Sequence, residues 1–362
     1  MLKAALCACY SAAQAGVRQT KMKKRLIKAI VRVLGVVAIV VFIVWVAIAQ
    51  PSCVRSTPSR VAVDQVSLRK HVDALAVQFH PRDWQHHENL DACADYIAEH
   101  LRHAGAVVEF QPFEIGRLVY RNVCGRFALG DAPRIIVGAH YDACGEQPGA
   151  DDNASAVAVL LELATLLGGL DSPPPVDFVA YTLEEPPFFG SDQMGSAIHA
   201  ASLAECAGSI RGVIVLEMVG YFADKWGSQS YPVPLLYLMY PSRGNFIGVV
   251  SRWDQGRWVK TVKVAMKGTT DLPVYSIRAP AALPGIDFSD HRNYWPHGIP
   301  SLMVTDTAFY RNKAYHSTED TPDRLDYRRM GQVAVAVFSA IDSISRRHHH
   351  ASMTDDRGRT TH

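Results

Sequence analysis

Cysteine is scarce, with seven residues in 362 and no CxxC pair, which excludes a disulfide scaffold, a zinc ribbon and a thioredoxin-type redox motif. Cys53, Cys93, Cys124, Cys144 and Cys206 form an odd set read as core or near-surface thiols, with at most two bridges among them. An excess of either charge is also missing: 37 Lys and Arg stand against 35 Asp and Glu. No nucleic-acid partner is therefore expected. The 25 Gly and 20 Pro follow no short period, which removes collagen-like readings, and no internal repeat is visible. With 48% hydrophobic and 20% charged residues, burial can offset chain entropy, so a disordered body is excluded as well.

What is present begins with a long hydrophobic run. Residues 33–49 read VLGVVAIVVFIVWVAIA without a charge, behind Lys21, Lys23, Lys24, Arg25, Lys28 and Arg32. This is the pattern of a transmembrane helix or an export signal, with the positive flank cytoplasmic and everything after Gln50 outside. Ala47-Ile48-Ala49 resembles a small-residue cleavage site, so an anchored ectodomain and a secreted form both remain open. The expected organisation is a basic cytoplasmic N-terminus (1–32), the apolar segment (33–49), a linker (50–62), one folded domain (63–347) and a polar tail (348–362) expected to be disordered. The domain would thus be membrane-anchored and periplasmic or extracellular, or secreted after cleavage behind Ala49.

Within the body, helical spacing marks residues 66–79 and 89–104, and alternation marks a strand over 107–113 with a hairpin partner over 118–127. Strands over 134–138, 176–182, 212–216 and 302–305 then interleave with helices over 154–167, 190–200 and 327–345. Residues 223–300 are read as loops and helices around a site. Such alternation predicts an α/β three-layer sandwich with a mixed, mostly parallel central sheet, whose chemistry belongs at the carboxyl ends of the strands.

Those ends carry acids and imidazoles: GAHYD around His140 and Asp142, PGADDNAS around Asp152, LEE at Glu184 and Glu185, and LEMVGYF at Glu217. FSDH at Asp290 and His291 and YHSTEDT around His316 follow. Singly, each has an ordinary explanation, such as a surface histidine or a helix cap. Together they offer the mixed N and O donors that Zn²⁺ accepts.

These six segments, in this order over residues 67–340, resemble the zinc-dependent aminopeptidases with a co-catalytic metal pair, whose fold is shared by glutamate carboxypeptidases and glutaminyl cyclases. The resemblance implies metal ligands His140, Asp152, Glu185, Glu217 and His316, with Asp152 bridging. It also implies Asp142 as the carboxylate that orients His140, and Glu184 as general base and then acid. Two zinc ions per chain are expected, one being the alternative, and peptides are the expected substrates. Asp151 is read as a helix-start residue and His291 as a lining residue. Glu217 stands where many members carry Asp, and Pro186-Pro187-Phe188-Phe189 replaces the usual small residues.

The function implied is an exported aminopeptidase that hydrolyses the N-terminal residue of peptides. A glutaminyl cyclase with a single zinc on Asp152, Glu185 and His316 is the competing reading, and a non-catalytic peptidase-like ectodomain is the third. Residue preference, oligomeric state and pathway cannot be read from the sequence.

Overall fold

The computed structural model describes residues 2–130 and 132–356, with side-chain surroundings for 18–130 and 132–346. Two units are described separately, residues 1–48 and 49–362. The first is helix α1 (Leu2–Ala49), whose stretch Arg18–Ala49 is long and apolar enough to cross a membrane.

In the second unit, eight strands form one sheet in the order β1-β2-β4-β3-β5-β8-β6-β7. They are β1 (Val107–Ile115), β2 (Leu118–Phe127), β3 (Arg134–His140), β4 (Val176–Tyr181), β5 (Ile210–Glu217), β6 (Ile247–Arg252), β7 (Val274–Ala279) and β8 (Ser301–Thr305). β3 lies parallel to β4 and β5, β5 to β8, and β6 to β7. The β1–β2 hairpin and the β2–β4 and β6–β8 pairs are antiparallel. Central strands β4 and β8 are buried at every residue, as expected of a sheet covered on both faces.

The two-residue side-chain period divides the core. Ile135, Val137 and Ala139 of β3 join a large cluster with α2 (Gln65–Asp73), α3 (His87–His103), α4 (Ala156–Gly168), α6 (Gly256–Met266) and α7 (Tyr327–Asp356). Ile136 faces the opposite side, with Val179, Val213 and Tyr294. There α5 (Gly195–Ser202) and the short helix Asp290–His297 form the thinner layer. The three-layer α/β architecture is the one anticipated.

Several details differ from the sequence reading. Residues 223–300 supply β6, α6 and β7 rather than loops and helices alone, extending the sheet past β8. The helix expected from residue 154 begins as a wide turn, Ala150–Ser155, before α4 proper. The helix expected over 190–200 is confined to Gly195–Ser202, because residues 183–194 lead away from the end of β4 as an irregular loop. α7 continues to Asp356, past the start of the polar tail at 348; residues 357–362 of that tail lie outside the described residues. All five described cysteines are free.

Candidate metal and catalytic site

The segments that carry His140, Glu184, Glu185, Glu217 and His316 leave the sheet at one end. His140 closes β3, Glu184 and Glu185 follow β4 by three and four residues, Glu217 closes β5, and His316 lies in the connection between β8 and α7. Parallel strands make this inevitable, since β3, β4 and β5 deliver their carboxyl termini side by side. The backbone at the exits is bent: Leu183, Met218 and His316 all adopt positive φ (60°, 47° and 52°). That conformation is costly for side chains of this size and persists only where surrounding contacts enforce it. Gly149, at φ 57°, turns the chain into the Ala150–Ser155 segment, and a Cβ there would lie 2.2 Å from the Asp152 carbonyl oxygen.

The seven residues singled out in the sequence, His140, Asp142, Asp152, Glu184, Glu185, Glu217 and His316, meet in one cluster. Asp152 spans it: Oδ1 lies 3.3 Å from His140 Nε2, and Oδ2 lies 3.2 Å from His316 Nε2. Around His140 Nε2 stand Glu217 Oε2 at 3.5 Å and Glu184 Oε2 at 3.9 Å. Glu185 Oε2 lies 3.1 Å from His316 Nε2. Asp142 works from behind, with Oδ1 3.3 Å from His140 Nδ1. Its two oxygens also accept the backbone N–H groups of Glu184 and Glu185, at 3.2 and 3.1 Å.

Hydrogen bonding shows what such a cluster suits. Both ring nitrogens of His140, Nε2 of His316 and Oε1 of Glu185 are buried without a hydrogen-bond partner. Lone-pair donors thus crowd to within 3.1–3.9 Å without aligning as hydrogen bonds, an arrangement that a divalent cation resolves. His140, Asp152 and Glu217 place ligand atoms within 4.8 Å of one another, and so do His140, Glu184 and Glu185, and Cys144, Glu185 and His316. The residues present fit zinc, by geometry and by donor chemistry.

Electrostatics agree. Burial raises Glu184 well above the ordinary glutamate range; His140 draws it down, and Glu217 and Asp290 push it up again. Burial, with the adjacent Asp152, lifts Glu185 to about 8 despite His316. Burial acts to lower His140, yet the charges of Glu217 and Glu184 hold its imidazolium well above the usual value. Five carboxyl groups, Asp142, Asp152, Glu184, Glu185 and Glu217, are buried around two imidazoles.

Several supporting residues escaped the sequence reading. Arg82 is fully buried and donates to the carbonyl oxygens of Leu75 (3.2 Å), Tyr141 (3.0 Å), Gly149 (2.6 Å) and Pro148. It therefore clamps both ends of the loop that leads from His140 to Asp152. Asp320, within the YHSTEDT segment but without an assigned role, accepts the N–H groups of Asp151 and Asp152 at 3.1 Å. Ser289 donates to Glu217 Oε2 at 2.7 Å, and Asn153 binds the Leu216 carbonyl and the Met218 N–H. Asp320, Ser289 and Asn153 lie within YHSTEDT, FSDH and PGADDNAS, whereas Arg82 lies in none of the six segments; each acts on a part of the chain distant in sequence.

Asp151 lies in the first turn of the Ala150–Ser155 segment, and it is also a buried brace that accepts from Gly220 N and Asn312 Nδ2. His291 is buried with Nε2 2.8 Å from the Ile286 carbonyl and belongs to none of the three donor groups. Beside Glu217 opens a cavity lined by Tyr231, Tyr240, Phe246, Phe309 and Tyr315.

A protein of Escherichia coli K12, the uncharacterized protein YfbL, is 47% identical over 294 residues, 79% of this chain and 90% of its own length. A probable leucine aminopeptidase of Arthroderma otae is 25% identical over 229 residues, 59% of this chain, which spans about half (54%) of that relative. Among solved structures, a zinc aminopeptidase from Bacillus subtilis superposes with TM-score 0.62 at 15% identity, covering 79% of this chain and 96% of that one. A Porphyromonas gingivalis glutaminyl cyclase superposes at 0.59 with 21% identity, covering 78% and 98%. These two share the fold. Residues 122–341, more than half of the sequence, match the model of peptidase family M28, and the chain belongs to that family.

Proposed function

We propose that this M28 peptidase is a zinc-dependent aminopeptidase that removes N-terminal residues outside the membrane, with Glu184 as its general base. The supporting observation is the two-sided placement of Asp152, one oxygen toward His140 and the other toward His316. His140, Asp152 and Glu217 form one donor group, and Glu185 and His316 with the second Asp152 oxygen form the other. Zinc ions held there would polarise the scissile carbonyl and lower the proton affinity of a water.

The chain's own residues supply the rest. Glu184, whose burial raises its proton affinity, takes the water proton at Oε2 and later passes it to the leaving amine. Asp142 holds His140 and, through the two N–H groups, the acid doublet in register. The surplus of buried carboxylate attracts an N-terminal ammonium group, which favours cleavage at the chain end. The aromatic cavity beside Glu217 suits an uncharged, apolar N-terminal side chain. Helix α1 serves as anchor or export signal.

The His140 group favours hydrolysis over the single-zinc cyclase reading, which needs only Asp152, Glu185 and His316. Replacing Glu184 by Gln tests the proposal: hydrolysis of Leu and Phe anilides should fall roughly 10²- to 10⁴-fold with zinc content unchanged. Cyclisation of N-terminal Gln peptides without anilide hydrolysis, or an unimpaired Gln variant, refutes it.

A further inference from the structure

We propose that Cys144 is a sulfur donor to the metal ion held by Glu185 and His316, an assignment that rests on the metallopeptidase reading above. Cys144 lies in the loop that leaves β3, four residues beyond His140, and Arg82 fixes that loop at Tyr141, Pro148 and Gly149. Its Sγ belongs to the group in which the ligand atoms of Cys144, Glu185 and His316 all lie within 4.8 Å of one another. A second observation points to the same place. Glu185 is only 4% exposed, and its Oε1 has no hydrogen-bond partner. His316 Nε2 faces Glu185 Oε2 and Asp152 Oδ2 at 3.1 and 3.2 Å without an aligned hydrogen bond to either.

The other described cysteines have different surroundings. Cys93 and Cys124 are embedded in the two apolar clusters, and Cys53 and Cys206 are exposed. Cys144 alone among the described cysteines belongs to a group of carboxylate and imidazole donors.

As the sulfur–metal bond forms, the thiol proton leaves to solvent, because the thiolate is the ligand. Asp152, Glu185, His316 and Cys144 then provide four protein donors, the number that closed zinc sites use, whereas the His140, Asp152 and Glu217 group keeps a position open. The two sites become unequal. A thiolate favours zinc or cobalt over the harder manganese and magnesium, so the site at Cys144 fills first and discriminates more strongly.

The test uses the detergent-solubilised full chain, stripped with a chelator and titrated with Co²⁺. Binding should produce a near-ultraviolet sulfur-to-cobalt charge-transfer band and shield one thiol from Ellman's reagent. Cys144→Ala should abolish both effects and weaken cobalt binding at one site by roughly tenfold or more, leaving the other site unchanged. Cys144→His should restore the affinity without restoring the band. Two bound cobalt ions with no charge-transfer band, or a band that survives in Cys144→Ala, overturn the assignment while leaving the metallopeptidase reading intact. Failure of the native chain to bind cobalt overturns both.

Discussion

Replacing Arg82 by methionine removes the clamp on the loop between His140 and Asp152 while keeping most of the side-chain volume. Arg82 is completely buried and makes four hydrogen bonds, all to main-chain oxygens and none to a carboxylate. Its charge is balanced at longer range by Asp320, Asp142 and Asp152, although burial, the larger influence, lowers its pKa. Charge-assisted hydrogen bonds contribute about 1.5–3 kcal/mol each, so the gross loss is roughly 6–12 kcal/mol. Relief of the desolvation cost of the guanidinium offsets several kcal/mol of that, leaving a net destabilisation of about 3–5 kcal/mol. At roughly 2 °C per kcal/mol for a body of this size, Tm should drop by about 6–10 °C. Because Pro148 and Gly149 lead directly into the Ala150–Ser155 segment, zinc affinity should also fall by about tenfold or more. Arg82→Lys should lie between the two, since a single ammonium cannot reach carbonyls that a planar fork bridges. Thermal unfolding in detergent with saturating and with limiting zinc separates the two effects. A methionine variant within about 1 kcal/mol of the native chain, with unchanged zinc affinity, would refute the clamp.

Other expectations follow from the same geometry. Asp142→Asn keeps the shape but turns one of the two acceptors for Glu184 N and Glu185 N into an amide donor and removes the charge beside His140; zinc affinity, measured by chelator competition, should decline about 10- to 100-fold, and an unchanged affinity would contradict the orienting role. In Gly138→Ala the new Cβ would lie 2.3 Å from the Tyr181 ring, two residues before His140, so calorimetry should register a loss of about 1–3 kcal/mol. His199 and His291 are each lowered to about 4, chiefly by burial. Their depressed values mean that the unfolded chain takes up protons first. Stability from these two residues is therefore complete above pH ~6.5 and lost progressively down to pH ~4, by at most about 3 kcal/mol each. Urea midpoints between pH 7 and 4, compared with His199→Gln, should show a shallower decline in the variant; identical slopes would count against a neutral buried His199.

Much of this protein could be read from local signals. The run at 33–49 is marked by its length without a charge, the β1–β2 hairpin by alternation, and β3, β4, β5 and β8 by short apolar runs that interleave with the helical stretches of α4 and α7. The acid and imidazole segments stood out because each follows directly on such an element. Residues 223–300 were harder, since β6 and β7 are six-residue strands separated by a helix carrying Lys260 and Lys263, and the place of β6 beside β8, and of β7 beside β6, depends on pairing rather than periodicity. The loop clamp, the Asp320 brace and the neighbourhood of Cys144 were decided by the tertiary structure alone. Arg82 reaches Tyr141 across 59 residues, and Asp320 reaches Asp151 across 169. Local sequence dictates which backbone periods are favourable and which face of an element is apolar. Which lone pairs end up within a few ångströms of one another depends on how the elements close over the sheet, and that is settled by the packing of the whole domain.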